Sequence, residues 1–294
     1  MIITVKNYMS FGNLTMLLSL PEEPVDKADY DRFLFFECNC DSADFDVFLE
    51  YADLRNFSVP ADSFICTENE KEAVAVSDGG CTVFYKSARG GVYAVRRFDC
   101  KNRTVHIILS EEADGNLQMR HILNTVGIED LAAERGAIIL HSSFIERNGA
   151  AVLFCGECGI GKSTQADLWS TYRRAHVING DKAYLFVKDG VVTASGLPFS
   201  GSSGICKNKM LITDAILSLS WGKENSVSRL TLSDAVRSIA KSVYAPHVFF
   251  DRCAGVAADI VSKTDVCRFV CTPDFHAVDA LEQYLDGRCQ NADK

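Results

Sequence analysis

The run Gly156-Glu157-Cys158-Gly159-Ile160-Gly161-Lys162-Ser163-Thr164 fits the pattern G-x-x-x-x-G-K-[ST]. The chemistry of that spacing is phosphate binding. Its glycines let successive backbone N–H groups turn inward as a nest for phosphate oxygens. The lysine reaches the outer phosphates and the first hydroxyl after it holds Mg²⁺, which makes Lys162 and Ser163 the expected phosphate and metal contacts. A chance match in a chain of ordinary composition arises on the order of once in a hundred sequences. The flanks make this one meaningful. Residues 150–155 are a short apolar run with the length of a buried strand, and 162–171 have helical composition with Ala166, Leu168 and Trp169 available for one face. A helix starting at the loop adds partial positive charge where an anion would sit. A nucleoside triphosphate site is expected.

Three further groups could join it. Residues 175–179 read as a strand that ends in Gly180-Asp181, and an aspartate just past such a strand is where Mg²⁺ or an attacking group would be met. Residues 137–141 read as another buried strand, ending on His141; a lone histidine there is otherwise a structural residue. Finally, the glycine- and serine-rich stretch 196–204 runs into Lys207 and Lys209, which suit phosphate or acidic-substrate contact or a plain solvated loop.

Positioning these groups requires particular elements. Arg147-Asn148-Gly149 contains an asparagine–glycine turn that hairpins the His141 strand onto the strand feeding the loop. The local sheet is then antiparallel, whereas ordinary P-loop NTPases open with a parallel βαβ unit. Asp189-Gly190 predicts a second hairpin between 182–187 and 191–195. A helix is predicted over 117–135 with Gly127 as an awkward interior residue, and helices over 230–243, 247–261 and 273–285, with a strand at 265–271. The first 116 residues read differently. Apolar runs at 14–20, 32–36, 45–51 and 81–85 alternate with turn-rich pieces, and 81–86, 92–98 and 104–110 form a meander. The expected organisation is a mainly β N-terminal domain, 1–116, and a nucleotide-binding domain, 117–294.

Composition limits the remaining classes. The chain has 294 residues, net charge −9, 47% hydrophobic and 23% charged residues, as in a soluble globular protein. It has no Lys/Arg-rich block, so a nucleic-acid partner is not expected. No apolar run could span a bilayer and the first residues lack a signal-peptide pattern, so a cytoplasmic location is expected. In the cytosol the twelve cysteines would stay reduced. Cys155-x-x-Cys158 is better read as buried or loop thiols than as a metal site, because a metal bridging them would block the loop.

Leu140-His141, the hairpin, residues 156–164 and Asn179-Gly180-Asp181, in that order, resemble the catalytic domain of the HPr kinase/phosphorylase family and of shorter HPr kinase-like proteins, over about residues 119–285. The resemblance implies an α/β fold with the phosphate loop in a mixed sheet, similar to phosphoenolpyruvate carboxykinase. It implies ATP and Mg²⁺ as cofactors, with Lys162 and the loop amides on the β- and γ-phosphates and Ser163 and Asp181 on the metal. Asp181 would also deprotonate the acceptor hydroxyl, assisted by His141. Family kinases are oligomers, so a homo-oligomer is an expected partner. Two departures stand out: the family's paired aspartates are Gly180-Asp181 here, and its glycine- and arginine-containing phosphorylase segment is not found. The expected activity is an ATP- and Mg²⁺-dependent phosphotransferase acting on a hydroxyl of a protein serine or a small molecule. An ATP-binding switch or scaffold without transfer and a conventional P-loop NTPase are the alternatives; for a GTPase, Asn208-Lys209-Met210-Leu211 lacks the aspartate of a base reader.

Overall fold

Alternation of buried and less buried residues marks many of the strands. In the segment Leu14–Leu20, for example, Leu14, Met16, Leu18 and Leu20 are all buried. The computed structural model describes residues 5–58, 62–199, 201 and 203–292. They form a mixed α/β structure with two mixed sheets. Contacts divide the chain into one unit of Met1–Arg135 with Pro246–Phe250 and a second of Gly136–Ala245 with Asp251–Lys294. Residues 117–135 and 246–250, which the expected boundary at 116/117 puts in the second domain, fall in the first unit.

The first unit is a single eight-stranded sheet. Its strands are β1 (Val5–Phe11), β2 (Leu14–Leu20), β3 (Phe45–Ala52), β4 (Phe64–Glu68), β5 (Glu72–Ser77), β6 (Gly80–Lys86), β7 (Val92–Asp99) and β8 (Thr104–Ser110). Their order is β1-β2-β3-β8-β7-β6-β5-β4. β3 runs parallel to both β2 and β8, and the meander from β6 to β8 is antiparallel, as its turns require. The apolar run at 32–36 is not a strand. It ends helix α1 (Lys27–Leu34), on which Tyr30 and Phe33 are buried. The helix expected over 117–135 is two helices, α2 (Met119–Thr125) and α3 (Ile128–Glu134). Gly127 separates them at φ 68°, in the left-handed region that glycine enters without penalty. A Cβ there would stand 1.1 Å from Nη1 of Arg96. That guanidinium is wholly buried and donates to Asp130 at 2.5 Å.

The second unit follows the expected hairpins. β9 (Ala137–Arg147) turns onto β10 (Ala150–Cys155), antiparallel with Cys155 opposite Ser142. After the loop come α4 (Lys162–Arg173), β11 (His176–Asn179), β12 (Lys182–Lys188) and β13 (Val191–Ser195). β14 (Met210–Trp221), β15 (Ser226–Arg229), α5 (Leu232–Ala240), α6 (Phe250–Lys263), β16 (Asp265–Cys271) and α7 (Phe275–Ala292) complete it. The sheet order is β10-β9-β12-β13-β14-β16-β15, with β11 on β9 and a further parallel pairing of β10 with β14. That last pairing closes the path β10-β9-β12-β13-β14 on itself. Two long strands make the closure. β9 pairs with β12 through residues 137–141 and with β10 through 142–147, while β14 pairs with β13 through 210–212 and with β10 from 213 onward. α4 and α7 cover one face, where Trp169, Phe154, Leu217, Phe269 and Leu281 are fully buried. Each such side chain contributes about 1.5–3 kcal/mol relative to its exposed state. The helix predicted over 230–243 is shorter, and the one predicted from 247 begins at Phe250. No helix of the described chain is long and apolar enough to cross a membrane.

Candidate functional site

The phosphate-loop motif leaves the end of β10 and enters α4, the context its residues require. Gly156, Gly159 and Gly161 take φ of 140°, 80° and 101°, values that a side chain would strain. Gly161 is the left-handed N-cap of α4, so the helix begins with its amides facing the loop. Lys162 is buried, and its Nζ donates to the carbonyls of Gly156 at 3.0 Å and Glu157 at 3.1 Å. The amine therefore lies folded across the loop that its own motif forms. Burial lowers the Lys162 pKa, while the nearby Cys158, Cys155 and Asp181 push it back up. Ser163, Thr164, Glu157 and Cys158 are exposed at the loop and the first turn. Ile160 is partly buried against the core under α4. Cys155 is buried at the strand end, and burial pushes its thiol up. No group of three or more potential metal-ligating His, Cys, Asp or Glu side chains occurs among the described residues.

Register explains what faces the loop. Cys155 stands opposite Ser142, and His141 opposite Lys182. The loop therefore starts at the point where β9 changes partner from β12 to β10. β11 and β12 lie along the other edge of β9, and the bend between them is Gly180-Asp181. Buried Asn179 fixes that bend: its Oδ1 accepts from the N–H groups of Asp181 and Lys182, and its Nδ2 donates to the carbonyls of Leu197 and Phe199. Ser143 Oγ donates to the Gly180 carbonyl, and the Ser142 N–H to that of Asp181.

His141 Nε2 comes within 3.5 Å of Asp181 Oδ1. The hydrogen bond from His141 lowers the Asp181 pKa first; burial opposes it, and the charges on His141, Lys182 and Lys162 add to the lowering. Asp181 is thus an ionised carboxylate at neutral pH, sharing one electrostatic neighbourhood with the phosphate-loop lysine. Lys182 Nζ lies 4.2 Å from the Tyr244 ring centroid, and the His141 ring lies 5.7 Å from the same ring. Lys182 and Tyr244 carry no motif of their own. Strand pairing and the bridge between Leu140 and Val243 deliver them.

Gly180, beside Asp181, carries no side chain, and the Ser203 side chain lies over it. A Cβ on Gly180 would stand 2.3 Å from Ser203 Oγ and 3.0 Å from its Cβ. Replacing Gly180 by an acid requires Ser203 to move.

The loop lysines do not join this site as a pair. Lys209 pairs with Glu146 at 2.6 Å, near the far end of β9. Five residues of strand separate Glu146 from His141, roughly 16 Å. Lys207 is exposed, and its N–H donates to the Ile178 carbonyl. Ser200 and Ser202 of the same loop lie outside the described residues. A groove of about 700 Å³ lies at the opposite end of β10, lined by Arg147, Thr213, Asp214, Asp265 and Arg288 among others. Its arginines are bound up by Asp214, Asp265 and Asp286. It has none of the phosphate-binding features of the loop.

No family model matches the chain, and no curated protein does. Among solved structures, the chain is similar to the Hpr(Ser) kinase/phosphatase from Coxiella burnetii, at 11% identity over 52% of this chain and 98% of that one, with a TM-score of 0.31. A likeness that low carries no inference about activity, and the chemistry has to be read from the site.

Proposed function

We propose that the second unit is an ATP- and Mg²⁺-dependent phosphotransferase acting on a hydroxyl, either of a protein serine or of a small molecule, of the HPr kinase-like kind. One observation carries this reading: Cys155, where the phosphate loop leaves β10, stands opposite Ser142, the neighbour of His141, whose Nε2 lies 3.5 Å from Asp181 Oδ1. A carboxylate beside the γ-phosphate of a bound nucleotide is placed to take a hydroxyl proton.

The loop amides and Lys162 would hold the β- and γ-phosphates and orient the triphosphate. Asp181 takes the proton of the acceptor hydroxyl, whose oxygen bonds to the γ-phosphorus as the bond to the β,γ-bridging oxygen breaks. ADP leaves, and the acceptor keeps the phosphoryl group. His141 keeps the Asp181 carboxylate oriented and ionised. The Ser163 hydroxyl and the Asp181 carboxylate are hard oxygen donors, which suits Mg²⁺, a cation held by one or two protein oxygens plus phosphates. When bound, Mg²⁺ would neutralise charge on the β- and γ-oxygens.

A second reading has its own observation. With glycine at position 180, a single carboxylate is left for two jobs, which favours an ATP-binding switch or scaffold that transfers nothing. A conventional P-loop NTPase fits less well, because β9, which pairs with both β10 and β11, runs antiparallel to each of them where an ordinary P-loop sheet is parallel.

The test uses γ-labelled ATP with Mg²⁺ and an extract of the source cell. Label should appear on one acceptor with the wild-type chain. Asp181→Asn should still bind ATP but lose transfer by at least about a hundredfold, and Lys162→Ala should lose ATP binding. ATP bound without transfer or hydrolysis by the wild type would replace the kinase reading with the binding module. Unchanged transfer in Asp181→Asn would remove the role given to that residue.

A further inference from the structure

Of the two tryptophans, Trp169 is fully buried, whereas Trp221, the last residue of β14, is 52% exposed. Its position explains the exposure. Ala215, Leu217 and Leu219 of the same strand belong to the core face covered by α4 and α7. Side chains two apart on a strand share a face, so Trp221 continues this apolar row. The row, however, has run past the start of the covering helix. β14 is parallel to β10 with Ser218 beside Cys155, and residue 221 lies three residues further in the direction in which β10 delivers the phosphate loop. That is about 10 Å beyond the strand end. A Cβ on Gly161 would meet Trp221 Cζ2 at 3.4 Å and Cη2 at 3.5 Å. The indole therefore lies in van der Waals reach of the residue that caps α4, beside the amides that would hold phosphate, with half of its surface uncovered.

We propose that Trp221 is the platform on which the base of a nucleotide held by the phosphate loop stacks. The proposal rests on the triphosphate reading of that loop given above. Every nucleobase presents a π-face, so an indole stacks on any of them without reading hydrogen-bond edges. The site then binds ATP and GTP with little preference between their bases. The phosphates supply the shared affinity and the stack adds to it. Packing of the indole on Gly161 alone would give Trp221 a different role, a cover that stiffens the loop. The two roles separate cleanly, because a cover matters to any phosphate ligand and a base platform only to ligands with a base.

Calorimetric titration of the full chain with Mg²⁺ and ATP, GTP or inorganic triphosphate decides. The variants are Trp221→Ala, Trp221→Phe and Lys162→Ala. Removing an aromatic platform costs about 1–3 kcal/mol per base, so Trp221→Ala should weaken ATP and GTP about tenfold while triphosphate stays within about twofold. Trp221→Phe keeps a π-face and should stay close to wild type for all three. ATP affinity unchanged in Trp221→Ala, or ATP and triphosphate weakened alike, would overturn the proposal. If the wild type binds triphosphate as tightly as ATP, the loop reading stands and the stack falls. If the wild type binds neither, and so matches Lys162→Ala, both fall together.

Discussion

Asp181 and His141 are brought together by strand register, and the consequence is a direction of pH dependence. The first cause that lowers the Asp181 pKa is its hydrogen bond from His141, against which burial works. In His141→Ala that cause disappears and burial remains, so the carboxyl rises toward the ordinary value and above its wild-type position. Transfer needs the ionised carboxylate. The acid limb of the pH–rate profile of phosphoryl transfer should therefore move to higher pH, and the plateau rate should fall about tenfold, as when an orienting partner of a reacting group is removed. An acid limb that stays in place would leave His141 without influence on the base. At this scale the strand–loop–helix setting of Lys162, Ser163 and the loop glycines was legible, because it follows from their own stretch of chain. Asp181 and His141 could be nominated because each ends an apolar run. Lys182, Tyr244 and Trp221 could not, because their nearness to the site comes from pairing across long stretches of chain. The pairing of Lys209 with Glu146 is of the same kind, since the two lie far apart in the chain.

Elements set by local chemistry were legible, and those set by distant partners were not. Both predicted hairpins, at Asn148-Gly149 and Asp189-Gly190, form because the turn residues take positive φ within a few residues of chain. β14 does not read as one long strand. It changes partners partway along, so Met210 to Ile212 are exposed or half-buried beside β13, and a buried face repeats only from Thr213 onward. The helix over 117–135 was read through Gly127, where the structure breaks it. The glycine is required by φ 68° and by the Arg96 guanidinium that occupies its side-chain space. Gly127→Ala therefore combines left-handed backbone strain with a steric clash inside a buried ion pair. About 1 kcal/mol for the backbone and about 1–3 kcal/mol for overpacking predict a loss of roughly 2–4 kcal/mol. Urea unfolding followed by hydrogen exchange of β6 to β8 would measure it. A variant as stable as wild type would mean that Arg96 has somewhere else to go.

At the scale of the whole chain, the first unit is not finished when its sequence leaves it. The segment Pro246–Phe250 returns to it from within the second half of the chain. There Asp130 Oδ1 accepts the N–H groups of His247 and Val248, and Oδ2 accepts from Arg96 and lies 3.1 Å from His247 Nδ1. Glu72 faces the other ring nitrogen at 3.4 Å, and Tyr85 and Cys81 border the guanidinium. Burial alone would raise the Asp130 pKa, but the Arg96 charge and the His247 contacts hold it down at about 2. His247 is desolvated, yet its bond to Asp130 leaves its pKa raised above 6.5. Linkage then fixes the pH window. The lowered carboxylate stabilises the fold above its ordinary 3.8, and that contribution is lost as pH falls toward about 2. The raised imidazole stabilises fully below 6.5, and its contribution is lost as pH rises through its folded value. Protection of the first unit from hydrogen exchange should therefore be greatest between these limits and weaken on the alkaline side. Asp130→Asn tests the same centre directly. It leaves Arg96 charged, buried and without its carboxylate, a loss of about 3–5 kcal/mol. It should also flatten the alkaline decline, since His247 then has no carboxylate at Nδ1 to raise its pKa. A variant that is destabilised but keeps the wild-type alkaline slope would assign that slope to Glu72 instead.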